Sequence, residues 1–212
     1  MGACDLDNKL ITSQERFWAG EFGDEYIDRN QGKHRVSSNV AFFSKIIAKT
    51  KGVQSILEFG SNIGLNLRAL HDLLPSCSLT GIEINEKAVD EIRKWGMAEV
   101  VHGSILNVEM DRKFGLTFSK GVLIHINPDY LDKVYSQLYE YSERYICIAE
   151  YYNPTPVSIS YRGNDDRLFK RDFAGEMMTL YPNLELLDYG FVYHHDPVFP
   201  QDDITWFLLE KK

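Results

Sequence analysis

The chain has 212 residues and a net charge of −8, from 23 basic and 31 acidic side chains. This acidic balance argues against a nucleic-acid partner, because basic surface supplies most of the affinity for phosphate backbones. No stretch of 18 uncharged apolar residues is present, so the sequence predicts no membrane span. A hydrophobic content of 44% is typical of a globular protein, and we expect one domain over residues 1–212. The three cysteines form neither a metal-binding spacing nor an even disulfide set, which favours a cytoplasmic location.

The first 50 residues divide into an aromatic, charged segment and a helix. The aromatic, charged segment covers 13–30, and we expect Trp18 to Asn30, which includes Tyr26, to form a lid over a ligand site. The alternative is an N-terminal helix that only packs its aromatic rings. A start signal at Ser37-Ser38 is accompanied by apolar residues at helical spacing, which predict a core helix. The periodic positions are Val36, Val40, Phe43 and Ile47.

A short apolar run followed by two glycines predicts a strand, a tight turn and a helix. The strand covers 53–59, the turn runs from Gly60 to Gly64, and the helix covers 64–74. Glycine allows the backbone to approach a ligand closely, because it has no Cβ and reaches positive φ at little cost. The free N–H groups at the start of the helix would face the turn and favour an anion such as a carboxylate.

The turn does not match the dinucleotide fingerprint G-x-G-x-x-G. Ser61 and Asn62 occupy the positions where a pyrophosphate would need bare backbone. One alternative is an ordinary strand–helix turn of a parallel sheet, since glycine-rich turns recur across α/β folds.

The second predicted strand, 78–84, ends in an acidic residue at an informative distance. Glu83 lies 23 positions after Gly60. At this spacing the carboxylate of a second strand accepts hydrogen bonds from ribose hydroxyls. A carboxylate has only acceptor sites and therefore suits a diol with two donors. We predict that Glu83 binds ribose; the alternative is a solvated carboxylate at a strand end.

Two further strands complete the core that we predict to bind the ligand, residues 51–150. A helix over 86–95 follows the second strand. The next two predicted strands cover 98–101 and 114–119. A helix over 128–142 and a strand over 145–150 follow. Alternating strands and helices predict a parallel sheet covered on both faces. Ligands of such sheets bind at the carboxyl ends of the strands, so we expect Lys120, Gly121 and His125 at the mouth of the site.

The remainder, 151–212, is interpreted as a substrate loop followed by a C-terminal hairpin. Residues 151–171 are polar and contain glycine and proline, and we expect a long functional or disordered loop. A helix near 172–180 precedes two strands, 184–193 and 203–210, which would place an antiparallel strand in the sheet. The loop carries four basic residues, whose alternative role is an exposed, self-neutralised charge run. They are Arg162, Arg167, Lys170 and Arg171.

With an acidic residue two positions before its first glycine, the turn resembles motif I of the class I S-adenosylmethionine-dependent methyltransferases. Across nearly its whole length the chain resembles the pseudaminic acid biosynthesis-associated methylases. This resemblance implies a Rossmann-like, mostly parallel seven-stranded sheet with helices on both faces and an antiparallel last strand. The segments that carry it are Phe17 to Asn30, Leu57 to Gly64, Lys120 to Pro128, Glu150 to Pro154, Tyr161 to Gly163 and Phe169 to Phe173.

The resemblance implies methyl transfer from S-adenosyl-L-methionine, leaving S-adenosyl-L-homocysteine, to an acidic nine-carbon sugar (nonulosonic acid) or its nucleotide conjugate. We expect N-methylation slightly more than O-methylation, and a monomer or homodimer. The predicted cofactor-binding residues are Trp18, Glu58, Gly60, Ser61, Asn62, Gly64, Asn66, Glu83, Ile84, Gly103, Ser104, Ile105, Lys120 and Gly121. The predicted substrate-binding residues are Tyr26, Arg29, Asn30, Arg162, Arg167, Lys170 and Arg171.

Three residues are candidates for the chemistry. His125 titrates near neutrality and is the best candidate for a general base; a packing or capping histidine is the alternative. Tyr151 and Tyr152 would stabilise positive charge through cation–π contacts, or would simply pack. Because neighbours on a strand point to opposite faces, we expect only one of the two to face substrate. For the same reason, His194 and His195 do not predict a metal site.

Two other functions stay open at this point. One is methylation of another small anionic or amine metabolite. The other is a non-catalytic protein that binds the cofactor and regulates a partner. A nicotinamide dehydrogenase is disfavoured by the polar side chains of Ser61 and Asn62 in the turn.

Overall fold

The computed structural model describes residues 10–29 and 33–212. Its main sheet has seven strands in the order β3-β2-β1-β4-β5-β9-β8. The strands are β1 (Ser55–Phe59), β2 (Ser78–Glu83), β3 (Glu99–His102), β4 (Phe114–Lys120), β5 (Ser142–Glu150), β8 (Leu184–Val192) and β9 (Ile204–Lys211). A separate two-stranded sheet pairs β6 (Val157–Tyr161) with β7 (Asn164–Lys170).

The sheet confirms the predicted fold class. Strands β1 to β5 are parallel to their neighbours, and β9 runs antiparallel between β5 and β8. The reversal of strand order next to β1 places a crevice at the carboxyl ends of β1 and β4. In open α/β sheets this is where ligands bind.

Helices cover both faces of the sheet. They are α1 (Ser13–Ala19), α2 (Glu21–Arg29), α3 (Lys33–Ile47), α4 (Leu65–Leu73), α5 (Glu86–Trp95), α6 (Leu131–Glu140) and α7 (Phe173–Leu180). Apolar residues of α3, α4 and α5 form one core cluster with the sheet, around Phe43 and Phe118. Those of α6 and α7 form the other, around Phe114 and Tyr135. Alternation along each strand supplies one residue to each cluster in turn, so the buried strands are mostly apolar.

The third helix begins earlier than its predicted start. It starts at Lys33, so Ser37 and Ser38 lie within its second turn. Serine marks a helix start only when its hydroxyl accepts a hydrogen bond from the first turn, and a serine within a helix is tolerated. Ahead of it, α1 and α2 occupy most of the predicted lid, and Asn30 lies outside the described residues.

The predicted loop over 151–171 is wrong, because most of this segment is the β6–β7 hairpin. Its strands pair antiparallel from Val157–Lys170 to Tyr161–Asn164. Arg162 and Gly163 both have positive φ, +51° and +83°, which suits the tight turn of a hairpin. Residues 151–171 are polar because β6 and β7 pair only with each other, and most of β6 is exposed to solvent.

Two 3₁₀ turns, Leu123–His125 and Pro128–Tyr130, precede α6. The predicted helix over 128–142 therefore starts three residues late, at Leu131, and the first of these turns carries His125 to the edge of the sheet. Among residues 10–29 and 33–212, no helix combines the length and apolar character needed to cross a bilayer.

Phe43→Ala should lower the free energy of unfolding by about 3–5 kcal/mol, because the ring is fully buried and packs edge-on against Phe118. Urea denaturation followed by circular dichroism measures the change. Phe191→Ala, at a ring that is 56% exposed, is the matched control and should change stability by about 0.5 kcal/mol or less. Equal losses in the two variants would contradict the assigned core.

Candidate active site

One cavity of about 390 Å³ lies at the carboxyl ends of the parallel strands. Its walls come from α1 and α2, the first residues of α3, the loops after β1 to β5, and the loop between β8 and β9. Fifteen of the residues predicted from the sequence line it. They are Trp18, Tyr26, Gly60, Ser61, Asn62, Asn66, Glu83, Ile84, Gly103, Ser104, Ile105, Lys120, Gly121, His125 and Tyr151.

The turn after β1 is shaped by its glycines. Gly60 has a φ of +74°, and a Cβ there would lie 2.6 Å from a methyl carbon of Val122. The N–H groups of Gly60 and Ser61 both donate to the carbonyl of Ile82, which holds the turn against β2. Gly64 precedes α4 in the left-handed region, and no side chain caps the helix. The first N–H groups of α4 are therefore available to an anionic group of a ligand.

Glu83 holds the turn as well as lining the cavity. Its carboxylate accepts hydrogen bonds from the N–H groups of Asn62, Ile84 and Asn85, at 2.6, 2.9 and 2.8 Å. Burial raises the pKa of this carboxyl, and the three N–H donors oppose the rise. A carboxylate has about four lone-pair sites, so room remains for a ligand hydroxyl. Its predicted role in binding ribose stays a prediction.

Glu58 lies behind the cavity wall rather than on it. The carboxyl is completely buried, and burial raises its pKa to about 8. One oxygen accepts a hydrogen bond from Asn66 Nδ2 at 2.6 Å, while Oε2 has no partner in the described part of the chain. Asn66 does line the cavity, so Glu58 meets the cavity lining through Asn66. Gly64, the other predicted cofactor residue outside the lining, contributes backbone geometry.

The loop after β4 is organised by Glu150, a residue that the sequence reasoning did not single out. Glu150 ends β5 and is 2% exposed. Its Oε1 accepts hydrogen bonds from the Ser119 hydroxyl at 2.6 Å and from the N–H groups of Val122 and Leu123 at 3.1 Å. Burial raises the pKa of Glu150 to about 7. An acidic residue at the end of a buried, otherwise apolar strand was the available signal.

His125 is held in one tautomer. Its Nδ1 lies 2.5 Å from the carbonyl oxygen of Arg167, which can only accept, so Nδ1 carries the hydrogen and Nε2 the lone pair. Burial lowers its pKa to about 4, so the ring is neutral at pH 7. The rings of Trp18 and Tyr161 flank it, at centroid distances of 4.7 and 5.1 Å. The neutral, flanked ring is a weak base in this state.

The two tyrosines after β5 point to different places. Tyr151 lines the cavity, and Lys170 lies 5.1 Å above its ring. Tyr152 is 41% exposed and contacts the ring of Phe207 on the opposite face of the sheet. The structure thus brings Tyr151 but not Tyr152 to the site.

The predicted basic loop does not line the cavity. Arg167 is paired with Asp166 at 2.5 Å, and Arg171 with Glu176 at 2.6 Å. Arg162 lies 5.8 Å over the ring of Tyr161. Arg29, from the predicted lid, is on the surface and pairs with Glu25. The charge run is largely neutralised by its own neighbours.

Two distant segments supply polar cavity residues that the sequence reasoning missed. Arg35, Ser38 and Asn39 belong to α3, whereas Gln201 and Asp202 belong to the loop between β8 and β9. None of them lies in a recognisable motif, and only the folded chain brings the two segments together. His194 also lines the cavity and pairs with Asp203. In the described residues, no group of three or more potential ligands is placed to hold a metal ion.

Asn85 connects the N-terminal helices to the site. Its Nδ2 donates to Asp24 at 2.9 Å and to the carbonyl of Trp18 at 3.4 Å, while its Oδ1 caps α5. This contact holds α1 and α2 over the loops after β1 and β2. The predicted lid is therefore docked on the cavity.

The cavity suits an adenosyl amino acid. A Cβ added at Gly103 or Gly121 would meet nothing within 4 Å, so both backbones border open space in the cavity. Asn66 Oδ1 is buried and has no partner among the described residues, so it can accept from an ammonium group. The uncapped start of α4 offers N–H groups to a carboxylate.

Comparison with known proteins agrees with this geometry. A family profile described as a methyltransferase domain matches residues 56–143, from β1 to the start of β5. A search of curated proteins finds no match. Among solved structures, the chain is similar to magnesium protoporphyrin IX methyltransferase (ChlM) from Synechocystis PCC 6803 with bound S-adenosylmethionine. The TM-score is 0.68 at 13% identity, over 95% of this chain and 99% of that one.

Two further structures share the fold. The glycopeptide N-methyltransferase MtfA complexed with sinefungin has a TM-score of 0.62 at 11% identity, over 82% of this chain and 94% of that one. The plantazolicin methyltransferase BpumL has a TM-score of 0.63 at 14% identity, over 90% and 89%. At such identities the likeness shows the fold. The shared fold and the matched domain support an S-adenosylmethionine-dependent methyltransferase.

Glu83→Ala should weaken binding of S-adenosylhomocysteine by about 10- to 100-fold, because it removes a charged acceptor from the cavity and from the turn. Isothermal titration calorimetry measures the affinity. Glu86→Ala, an exposed carboxylate three residues later, is the control and should bind normally. Wild-type affinity in the Glu83 variant would remove this residue from the cofactor site.

Glu150→Ala should lower the free energy of unfolding by about 2–4 kcal/mol and also weaken S-adenosylhomocysteine binding. The substitution leaves the buried Ser119 hydroxyl and two backbone N–H groups without their acceptor, in the loop that forms one cavity wall. Urea denaturation and calorimetry measure the two effects. Glu143→Ala, exposed on the same strand, is the control; a Glu150 variant that behaves like it would contradict the organising role.

Proposed function

We propose that this methyltransferase acts on a small acidic sugar of the nonulosonic acid type, or its nucleotide conjugate, with nitrogen favoured over oxygen as the acceptor atom. The observation that carries the proposal is the position of two cations, Lys120 and Arg35, on the part of the cavity wall beyond β4. The loops after β1, β2 and β3 have the character of an adenosine site. Lys120 and Arg35 lie outside these three loops, and their positive charge suits an acidic acceptor.

The bound cofactor supplies a methyl group on a positively charged sulfur. The residues of this chain hold the acceptor in line with that methyl group and exclude water, and such alignment accounts for roughly 7–11 kcal/mol of a barrier. We assign Tyr151 to the wall beside the reacting atoms, where its ring stabilises positive charge. The docked helices α1 and α2 close the cavity from above.

The preference for nitrogen follows from the electrostatics of the wall. A pKa of about 4 makes His125 a poor base for removing a hydroxyl proton during attack. A neutral amine attacks through its lone pair and needs no such base. Nearby cations disfavour protonation of an amine, so Lys120 and Arg35 would keep it in the reactive form.

A panel of acceptors tests the proposal with labelled S-adenosylmethionine. We expect S-adenosylhomocysteine binding by calorimetry, and transfer to nonulosonic acids with a free amine over their N-acylated forms and over neutral amino sugars. Mass spectrometry and NMR of the product identify the methylated atom. Transfer only to neutral amines would favour another metabolite class, and cofactor binding without transfer to any acceptor would favour the regulatory alternative.

A further inference from the structure

Lys120, Arg35, Asn39 and Gln201 form a cluster on the cavity wall that is built to receive an anion. We propose that this anion subsite binds the anionic oxygen group of the acceptor, a carboxylate in the free sugar or a phosphate in its nucleotide conjugate. The inference rests on the proposed function and adds to it the residues that recognise the acid.

Lys120 has no carboxylate in direct contact, and Asp202, Glu58 and Glu150 act on its charge from a longer distance. It ends β4 and lines the cavity, where its Nζ makes one hydrogen bond, to Asn39 Oδ1 at 3.3 Å. No carboxylate of the described residues lies within 4 Å of it. Burial lowers the pKa of this lysine. An ammonium group has three donors, so two remain for a ligand.

Arg35 places a second cation on the same wall. It is the third residue of α3, and it also lines the cavity. Within the described part of the chain it has neither a hydrogen bond nor an ion pair. Its charge acts on Lys120 and contributes to lowering the lysine pKa. Two neighbouring cations without a carboxylate in direct contact attract an anion, and an anion between them would reduce their mutual repulsion.

This arrangement contrasts with the other cations of an acidic protein. Many of them have carboxylate partners within 4 Å, including Arg144 with Glu210 and Arg171 with Glu176. With 31 acidic and 23 basic side chains, carboxylates are plentiful. Lys120 and Arg35 therefore stand apart from cations whose charge is neutralised on the surface.

Asn39 and Gln201 fix the lysine. Asn39 is 6% exposed, and its Oδ1 accepts from both Lys120 Nζ and Gln201 Nε2, the latter at 3.1 Å. This hydrogen-bond pair joins α3, β4 and the loop between β8 and β9. It holds the ammonium group at the wall, and a bound anion would meet a positioned donor.

The position separates the subsite from the adenosine end of the cavity. In the sheet order, β4 lies beyond β1, whereas Glu83 and Gly103 follow β2 and β3 on its other side. The adenosine region thus lies across the β1 turn from Lys120. The remaining competitor for the subsite is the methionine carboxylate of the cofactor, and the experiment is designed to separate the two anions.

The variants are Lys120→Met and Arg35→Met, with Lys45→Met as control. Lys45 lies exposed on α3, so its variant removes the same charge from the same helix outside the cavity. Each protein is titrated by calorimetry with S-adenosylhomocysteine and with 5′-methylthioadenosine, which lacks the amino acid part. The S-adenosylhomocysteine complex is then titrated with pseudaminic acid and with its cytidine monophosphate conjugate.

We expect both cavity variants to bind pseudaminic acid or its conjugate about 10- to 100-fold more weakly, with the affinity for both adenosyl ligands unchanged. The tighter of the two sugar ligands in the wild type identifies carboxylate or phosphate as the natural anion. A variant that loses affinity for S-adenosylhomocysteine but not for 5′-methylthioadenosine would overturn the proposal, since Lys120 would then hold the cofactor carboxylate.

A readout without any sugar separates the subsite from the proposed function. Inorganic phosphate should raise the melting temperature of the wild-type S-adenosylhomocysteine complex more than that of Lys120→Met or Arg35→Met, with Lys45→Met behaving as wild type. Equal shifts would overturn the subsite whatever the acceptor is. A clear difference in phosphate, combined with no binding of either sugar, would retain the subsite and reject the proposed sugar class.

Discussion

The active-site end of the sheet depends on buried carboxylates whose hydrogen bonds must be satisfied. Strand β1 carries Glu58 near its end, β2 ends in Glu83 and β5 ends in Glu150, and all three are less than 10% exposed. Leaving a buried acceptor without a donor is costly, and the cost is larger for a charge. The loops that follow the strands therefore fold around Glu83 and Glu150, whereas Glu58 keeps one oxygen without a donor among the described residues. Their backbone N–H groups and polar side chains become the donors, and the cavity wall takes its shape from that arrangement.

Each carboxylate organises a different part of the wall. Glu83 gathers N–H groups from the turn after β1 and from its own loop, so it links two walls of the predicted adenosine site. Glu150 gathers those of the loop after β4, which carries Lys120 and His125. Glu58 reaches the cavity through Asn66. A sheet built to bury its strand ends in this way has little freedom to misplace the residues that face a ligand.

The N-terminal helices then cover the loops after β1 and β2, and the loop between β8 and β9 closes the cavity beside Lys120. Asn85 docks α1 and α2 from below, and Asn39 joins α3 to Gln201 across the mouth. The acceptor would thus be read by elements outside the strand–turn–helix units that form the cofactor end. The glycopeptide, porphyrin and plantazolicin methyltransferases that share this fold are named for different acceptors, so the fold alone does not set the acceptor.

The sequence by itself determined the sheet, the turn after β1 and the position of Glu83, because strand and helix periodicity and glycine spacing are local properties of the chain. The sequence-based prediction was wrong for 151–171, because weak alternation of polar and apolar residues did not indicate a hairpin. It was also wrong for the start of α3, because two serines inside the helix were interpreted as an N-cap. Only the tertiary structure decided which of the other cations face the cavity. Arg171, which was predicted to bind substrate, is paired with Glu176, whereas Arg35, which no motif indicated, lines the cavity. That difference depends on contacts between residues far apart in the chain, which no local pattern encodes.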